Sequence, residues 1–324
     1  MTDDRTLISK VLVLDSDVEC YDRIKKFCDA NNLVGLKVQA DNVMAVLKSN
    51  VDLGGILLSE TFAGSAMGGI ALAREIHEAR PELPIFLRRE KAAILYDLPV
   101  SDRKSFITAY TIDGIADLRA VIDECIFSLV YPNAMVRGIT EISRTALASQ
   151  FKDLVIDIET PYIVRDRIIF GEIFTLIPIE SNWCRGYMTI QAEEESLLQL
   201  VKKDKTVIEP SEGDDFRNLN GILGEVTNLI WGAFKNRFVA ESTRSGHLAQ
   251  VPIVVNHLHR YISFGSINPQ LCFKCTLTDP KDSGAPPIVI YQRFVFNLSW
   301  SPEDFIENES SVNDLVESGE LEVF

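Results

Sequence analysis

The strongest constraint on the fold is an alternation in the first 130 residues. "KVLVLD" (Lys10–Asp15) is a short apolar run that ends in an acid, and a helical pattern follows from Val18 to Ala30. "GGILLSE" (Gly54–Glu60) repeats the form and leads into the amphipathic "GGIALAREIHEA" (Gly68–Ala79). "LPIFLRRE" (Leu83–Glu90), "SFITAYTI" (Ser105–Ile112) and the helical "IADLRAVIDECIFSLV" (Ile115–Val130) continue it. Strands that alternate with helices predict a parallel sheet covered on both faces, an α/β doubly wound arrangement. Ligand sites in such sheets lie beyond the carboxyl ends of the strands. Asp15 and Glu60 stand at two such ends.

After "YPNA" (Tyr131–Ala134) the alternation stops, and Pro132 is expected to end the preceding helix. The patterns predict a helix over Met135–Gln150, strands over Arg167–Glu180 and Cys184–Ala192, and a helix over Glu193–Lys203. A further helix covers Phe216–Phe234. Long strands follow in "PIVVNHLHRYISF", "QLCFKCTLT" and "IVIYQRFVFNLSW", the last two joined by the turn-rich "TDPKDSGAPP" (Thr278–Pro287). This order predicts an α+β unit with a largely antiparallel sheet. The expected organisation is residues 1–131, residues 132–300, and an acidic tail over 301–324 with eight Asp or Glu and no Lys or Arg. The tail reads as solubilising or as a mask over a docking surface.

The net charge of -15 argues against nucleic-acid binding, which needs clustered Lys and Arg. No apolar run approaches the roughly 20 residues that span a bilayer, so no membrane insertion is expected. "MTDDRTLISK" lacks the apolar core of a secretory signal, and a cytoplasmic location is the expectation. The six cysteines show no disulfide spacing. "CFKC" (Cys272, Cys275) has no second ligand pair in view; His257 and His259 share one strand face without a shown link to it. Small buried residues are the expected reading, with no metal or cofactor of the chain's own.

"NGILGEVTNLIWG" (Asn220–Gly232) carries three glycines inside a helical pattern. Leu219, Ile222, Leu223, Val226, Leu229, Ile230 and Ala233 form its apolar face. Gly221, Glu225, Asn228 and Gly232 fall at i, i+4, i+7 and i+11, a single stripe on another face, with Gly224 beside it. Each glycine costs about 1 kcal/mol against alanine. Two readings stand at this point. Glu225 and Asn228 belong to a solvated face with the glycines packed on the sheet, or the glycines clear a shelf for a partner backbone.

The first half resembles the receiver domain of bacterial response regulators over about residues 8 to 130, a flavodoxin-like fold. It departs at each functional position. Receivers have two adjacent acids after the first strand where this chain has Asp15, Ser16 and Asp17. They have a phosphoacceptor Asp where Glu60 stands, a small hydroxyl residue where Arg88 and Arg89 stand, and a Lys after the fifth strand, whereas no Lys occurs from Ser105 to Phe151. The resemblance implies a pseudo-receiver that is not phosphorylated, with Glu60 either paired to Arg88 or Arg89 or a simple loop acid. The second half resembles the CheC, CheX and FliY group of chemotaxis phosphatases over about residues 133 to 300. The signature is Asp or Ser, then Glu, then Asn, then Pro; Glu225, Asn228 and Pro252 match, and Gly221 replaces the first residue. With one signature it is more like CheX. The resemblance implies hydrolysis of the aspartyl phosphate of a separate CheY-like receiver, whose own site holds Mg²⁺, with Asn228 on the water, Glu225 on the receiver's Lys, and Gly221, Gly224, Gly232 and Pro252 in docking. It also implies two alternatives: a non-catalytic adaptor, and an effector switched by its own phosphorylation. A homodimer is expected from the family and from the long strand Ile288–Trp300 if its edge stays open.

Overall fold

A computed structural model describes residues 7–48, 52–65, 67–165, 168–169, 172–181, 183–208, 215–239, 252–256, 262–263, 268–282, 284–305 and 307. The first half runs β1 (Ile8–Leu14), α1 (Val18–Ala30), β2 (Leu33–Lys37), α2 (Val43–Lys48), β3 (Gly55–Ser59), α3 (Gly68–Ala79), β4 (Ile85–Arg88), α4 (Val100–Arg103), β5 (Thr108–Tyr110) and α5 (Leu118–Cys125). Its strands are parallel in the order β2-β1-β3-β4-β5. Alternate residues of β1 enter opposite cores. Val11 and Val13 meet Ile24 and Phe27 of α1 and Ile122 of α5, whereas Leu12 and Leu14 meet Leu47 of α2 and Ile70 and Ile76 of α3. Helices therefore cover both faces.

The second half runs α6 (Asn133–Gln150), β6 (Val155–Ile158), β7 (Tyr162–Val164), β8 (Ile168–Ile169), β9 (Ile173–Glu180), β10 (Cys184–Ala192), α7 (Glu194–Lys202), α8 (Asp215–Phe238), β11 (Ile253–Asn256), β12 (Ile262–Ser263), β13 (Gln270–Thr278) and β14 (Ile288–Trp300). The strands β11-β9-β10-β14-β13 form an antiparallel run, and α6 and α8 pack together on it. Four expectations change here. β14 lies between β10 and β13, so its edge is closed and the edge argument for a dimer lapses. Pro132 does not stop a helix: α5 ends at Cys125, and Pro132 begins α6. The strand expected over Arg167–Glu180 divides into β8 and β9. The start of the acidic tail is packed, with Phe305 edge-on to Trp183 at 5.1 Å and Glu307 paired to Arg237 at 2.7 Å; residues 308–324 lie outside the described residues, as do His257 and His259.

The expected boundary near residue 131 is crossed by one sheet. β7 pairs in parallel with β1, Ile8 opposite Tyr162 and Ser9 opposite Ile163, and also pairs with β13. Ser9 Oγ donates to Ile163 O at 2.8 Å, and Arg165 N donates to Leu53 O at 2.8 Å. Beside this joint, Asp52 accepts from Tyr162 Oη at 2.6 Å and from Arg293 Nη2 at 2.9 Å. The joint uses the amino ends of β1 and β3, so it leaves their carboxyl ends to the first half.

Cys272 and Cys275, three apart on β13, point to opposite faces and join separate clusters. They cannot grip one ion together. Burial pushes both thiols up to about 12. Cys28 and Cys184 are buried too, while Cys20 and Cys125 are partly exposed. Alkylation of the native chain at pH 8, followed by mass spectrometry, is expected to modify Cys20 and Cys125 first. Equal labelling of Cys272 would overturn that placement.

Candidate functional site

Two places gather the singled-out residues. The first is the mouth of the parallel sheet. Asp15 follows β1, Ser59 ends β3 and Glu60 follows it, and Arg88 ends β4. An added Cβ at Gly69 would lie 1.9 Å from Ser59 O, so α3 meets the end of β3 at a distance only glycine allows. Arg88 is 2% exposed and Asp15 4%. Arg88 Nε donates to Asp15 Oδ2 at 2.5 Å, and Nη2 donates to Asp15 Oδ1 at 3.2 Å and to Ser59 Oγ at 2.9 Å. Nη1 lies 2.8 Å from Glu90 Oε1. Burial opposes the Arg88 charge, but the hydrogen bond and charge of Asp15 override it and hold the guanidinium above its ordinary value.

Glu60 is engaged with Arg89 rather than left as a loop acid. Its Oε2 lies 2.6 Å from Arg89 Nε, off the N–H axis, so this is a charge contact and not an aligned hydrogen bond. Its Oε1 accepts from Glu90 N at 2.6 Å. Arg89 also holds Asp97 at 2.8 Å and donates to Ile94 O at 2.9 Å. Ser16 is exposed. Asp17 caps α1 by accepting from Cys20 N at 2.9 Å, and that bond holds its carboxyl below the usual range. Ser59, Glu90 and Asp97 were not singled out in the sequence, where nothing marks them as arginine partners.

The second place is α8. Leu219, Ile222, Leu223, Val226, Ile230 and Ala233 are buried, and Leu229 is partly buried. Thr227 Oγ1 lies 2.6 Å from Thr175 Oγ1 on β9, which sets the rotation of the helix. Trp183 Nε1 donates to Phe238 O at 2.8 Å, and Arg237 pairs with Glu141 of α6 at 2.7 Å, so the carboxyl end is tied down. This orientation turns Glu225 and Asn228 outward; Glu225 is half-buried and Asn228 exposed. Among the described residues neither has a hydrogen bond or ion pair. A Cβ added at Gly224 or Gly232 would meet nothing within 4 Å. Those two glycines are not packed on the sheet. Gly221 differs, since a Cβ there would lie 3.3 Å from Ile208 Cδ1. The shelf is therefore open from Gly224 to Gly232, about 12 Å of helix at 1.5 Å per residue, and bounded by Ile208 at its start. Pro252 opens β11, the sheet-edge strand that packs beside α8.

Among the described residues no group of three His, Cys, Asp or Glu side chains could hold a metal ion, and no helix is long and apolar enough to cross a membrane. The α8 stripe offers a carboxylate and an amide in open space. It can position a water and pair with a cation.

No protein-family model matches the chain, and no curated protein matches it. Among solved structures it is similar to a chemotaxis protein CheX from Desulfovibrio desulfuricans, with 13% identity over 51% of this chain and 99% of that one and a TM-score of 0.37. It is similar to a chemotaxis protein CheX from Vibrio vulnificus, with 20% identity, 50% and 99% coverage and a TM-score of 0.33. A CheY-like response regulator receiver domain protein from Methanospirillum hungatei covers 36% of this chain and 95% of its own, with 13% identity and a TM-score of 0.29. Identities and TM-scores this low say nothing about chemistry, which rests on the side chains above.

Proposed function

We propose that this chain is a signalling protein that hydrolyses the aspartyl phosphate of a separate phosphorylated receiver protein, in a bacterial two-component or chemotaxis-type pathway. One observation carries the reading: Glu225 and Asn228 stand unpartnered on α8 beside Gly224 and Gly232, whose Cβ positions are empty. A helix that gives up about 1 kcal/mol at each of two glycines whose Cβ would meet nothing keeps room for something. What fits is a backbone that must come within a side chain's length of α8.

The chemistry follows from what these groups can do. The acyl phosphate and the Mg²⁺ that offsets its charge belong to the partner. The Asn228 amide enters beside the phosphoryl group and holds one water in line, its oxygen toward phosphorus. Water oxygen bonds to phosphorus as the phosphorus–aspartyl oxygen bond breaks, which yields phosphate and a free carboxylate. Glu225, a carboxylate on the same face, pairs with a lysine of the partner and fixes the register. The first half is not the substrate: Glu60 stands in the acceptor's place and is tied to Arg89.

The test is phosphate release from phosphorylated receivers of the same cell, with Mg²⁺. Acceleration by the native chain is expected, and Asn228→Ala is expected to lower it about a hundredfold, the effect of misplacing one reacting group. A specific observation favours a second reading, a non-catalytic adaptor. Gly221 replaces an acid or serine and is partly covered by Ile208. Tight binding of a receiver without any acceleration would establish that reading instead.

A further inference from the structure

We infer that the Arg88 guanidinium is a resident cation that takes the place of a divalent metal ion in the first half. That half is thereby held in one state without metal or phosphoryl group. The mouth of a parallel sheet that gathers carboxylates from several strand ends is a cation site by electrostatics alone. Here Asp15, Asp17 and Glu60 come to that mouth, and the residues present do not fit Mg²⁺.

Mg²⁺ needs near-octahedral oxygen coordination close to the carboxylates, at about 2.1 Å. Both oxygens of Asp15, both of Glu60 and one of Asp17 each face a donor or cation of the chain. Asp15 Oδ2 takes Arg88 Nε, and Oδ1 takes Arg88 Nη2 and Asp17 N at 3.0 Å. Asp17 Oδ1 caps α1. Glu60 Oε1 takes Glu90 N, and Oε2 faces Arg89. Arg88 reaches across the mouth with all three nitrogens, touching groups at the carboxyl ends of β1, β3 and β4. That is the bridging role a metal ion would have, performed by a planar fork that stays charged at any working pH. A metal ion approaching Asp15 would meet a positive charge already buried there.

Arg89 extends the arrangement to the surface. It ties Glu60 to Asp97 and to Ile94 O, while Arg103 donates to Tyr96 O at 2.5 Å and Leu98 O at 2.8 Å. The segment after β4 is thus fixed by internal arginines.

The experiment uses the full chain and measures Mn²⁺ binding by water-proton relaxation, with Mg²⁺ as competitor. Weak binding to surface acids is common to all variants and sets the baseline. The native chain is expected to show only that baseline. Arg88→Ser is expected to bind Mn²⁺ at least tenfold more tightly, with displacement by Mg²⁺ and loss of the gain in Arg88→Ser combined with Asp15→Asn. Arg88→Lys, which keeps a cation and serves where Arg88→Ser does not fold, is expected to stay at baseline. Mg²⁺-competed binding above baseline by the native chain or by Arg88→Lys would overturn the inference. So would a folded Arg88→Ser, checked by circular dichroism, that gains no affinity.

Discussion

Arg293→Met is expected to destabilise the chain by about 3–5 kcal/mol, the cost of leaving a buried charge without its partner. Arg293 is 1% exposed and Asp52 6%. The pair joins a residue preceding β3 to the middle of β14, beside the parallel seam between β1 and β7. With the guanidinium gone, Asp52 keeps, among the described residues, the Tyr162 hydroxyl. Denaturant unfolding followed by the fluorescence of Trp183, Trp231 and Trp300, all in the second half, and by far-UV circular dichroism reads the effect. In the native chain both signals should change together, because the sheet is continuous. In Arg293→Met the seam weakens, and the two signals should separate. Adding Asp52→Asn removes the stranded charge while keeping an acceptor for Tyr162, and should restore most of the loss. A loss below about 1 kcal/mol in the single variant would mean that the pair behaves as a solvated surface contact.

The parts legible in the sequence were those written in local periodicity. The apolar face of α8 reads off three- and four-residue spacing, and every residue assigned to it is buried or half-buried. The long strands β10, β13 and β14 read off runs of apolar and β-branched residues. The helix expected over Ile115–Val130 was too long for a physical reason. Ile126 is fully buried and Phe127 and Leu129 pack on the same core, so the apolar pattern persists after the α-helix ends at Cys125. The seam was illegible because β7 is three residues long and its parallel partner β1 lies some 150 positions earlier. The Asp52–Arg293 pair spans 241 positions, and no spacing rule reaches that far. At the sheet mouth, the sequence placed Arg88, Arg89 and Glu60 together but left open which arginine took which acid. The strand order settles it, since β1, β3 and β4 lie side by side and Asp15 falls within reach of Arg88.

Gly224→Tyr is expected to leave the fold intact and to reduce receiver dephosphorylation at least tenfold. A Cβ there meets nothing within 4 Å, so the new side chain starts into open space and its expected steric consequence is toward a partner. The paired control runs the other way. Gly224→Ala and Gly232→Ala should each stabilise the chain by about 1 kcal/mol, because alanine is the better helix former and neither new Cβ has anything to strike. The melting temperature should rise by a few degrees for each. If α8 is only a solvated face, all three variants dephosphorylate as the native chain does, and the glycines are an unexplained loss of stability. If the shelf receives a partner backbone, activity should fall in the order of side-chain size, alanine before tyrosine, while stability rises with alanine. That opposition separates a docking surface from a packing defect, because a defect in packing would lower both together. Gly221→Ala sharpens the comparison. Its Cβ would press on Ile208 at 3.3 Å, so its gain in stability should be smaller than at Gly224.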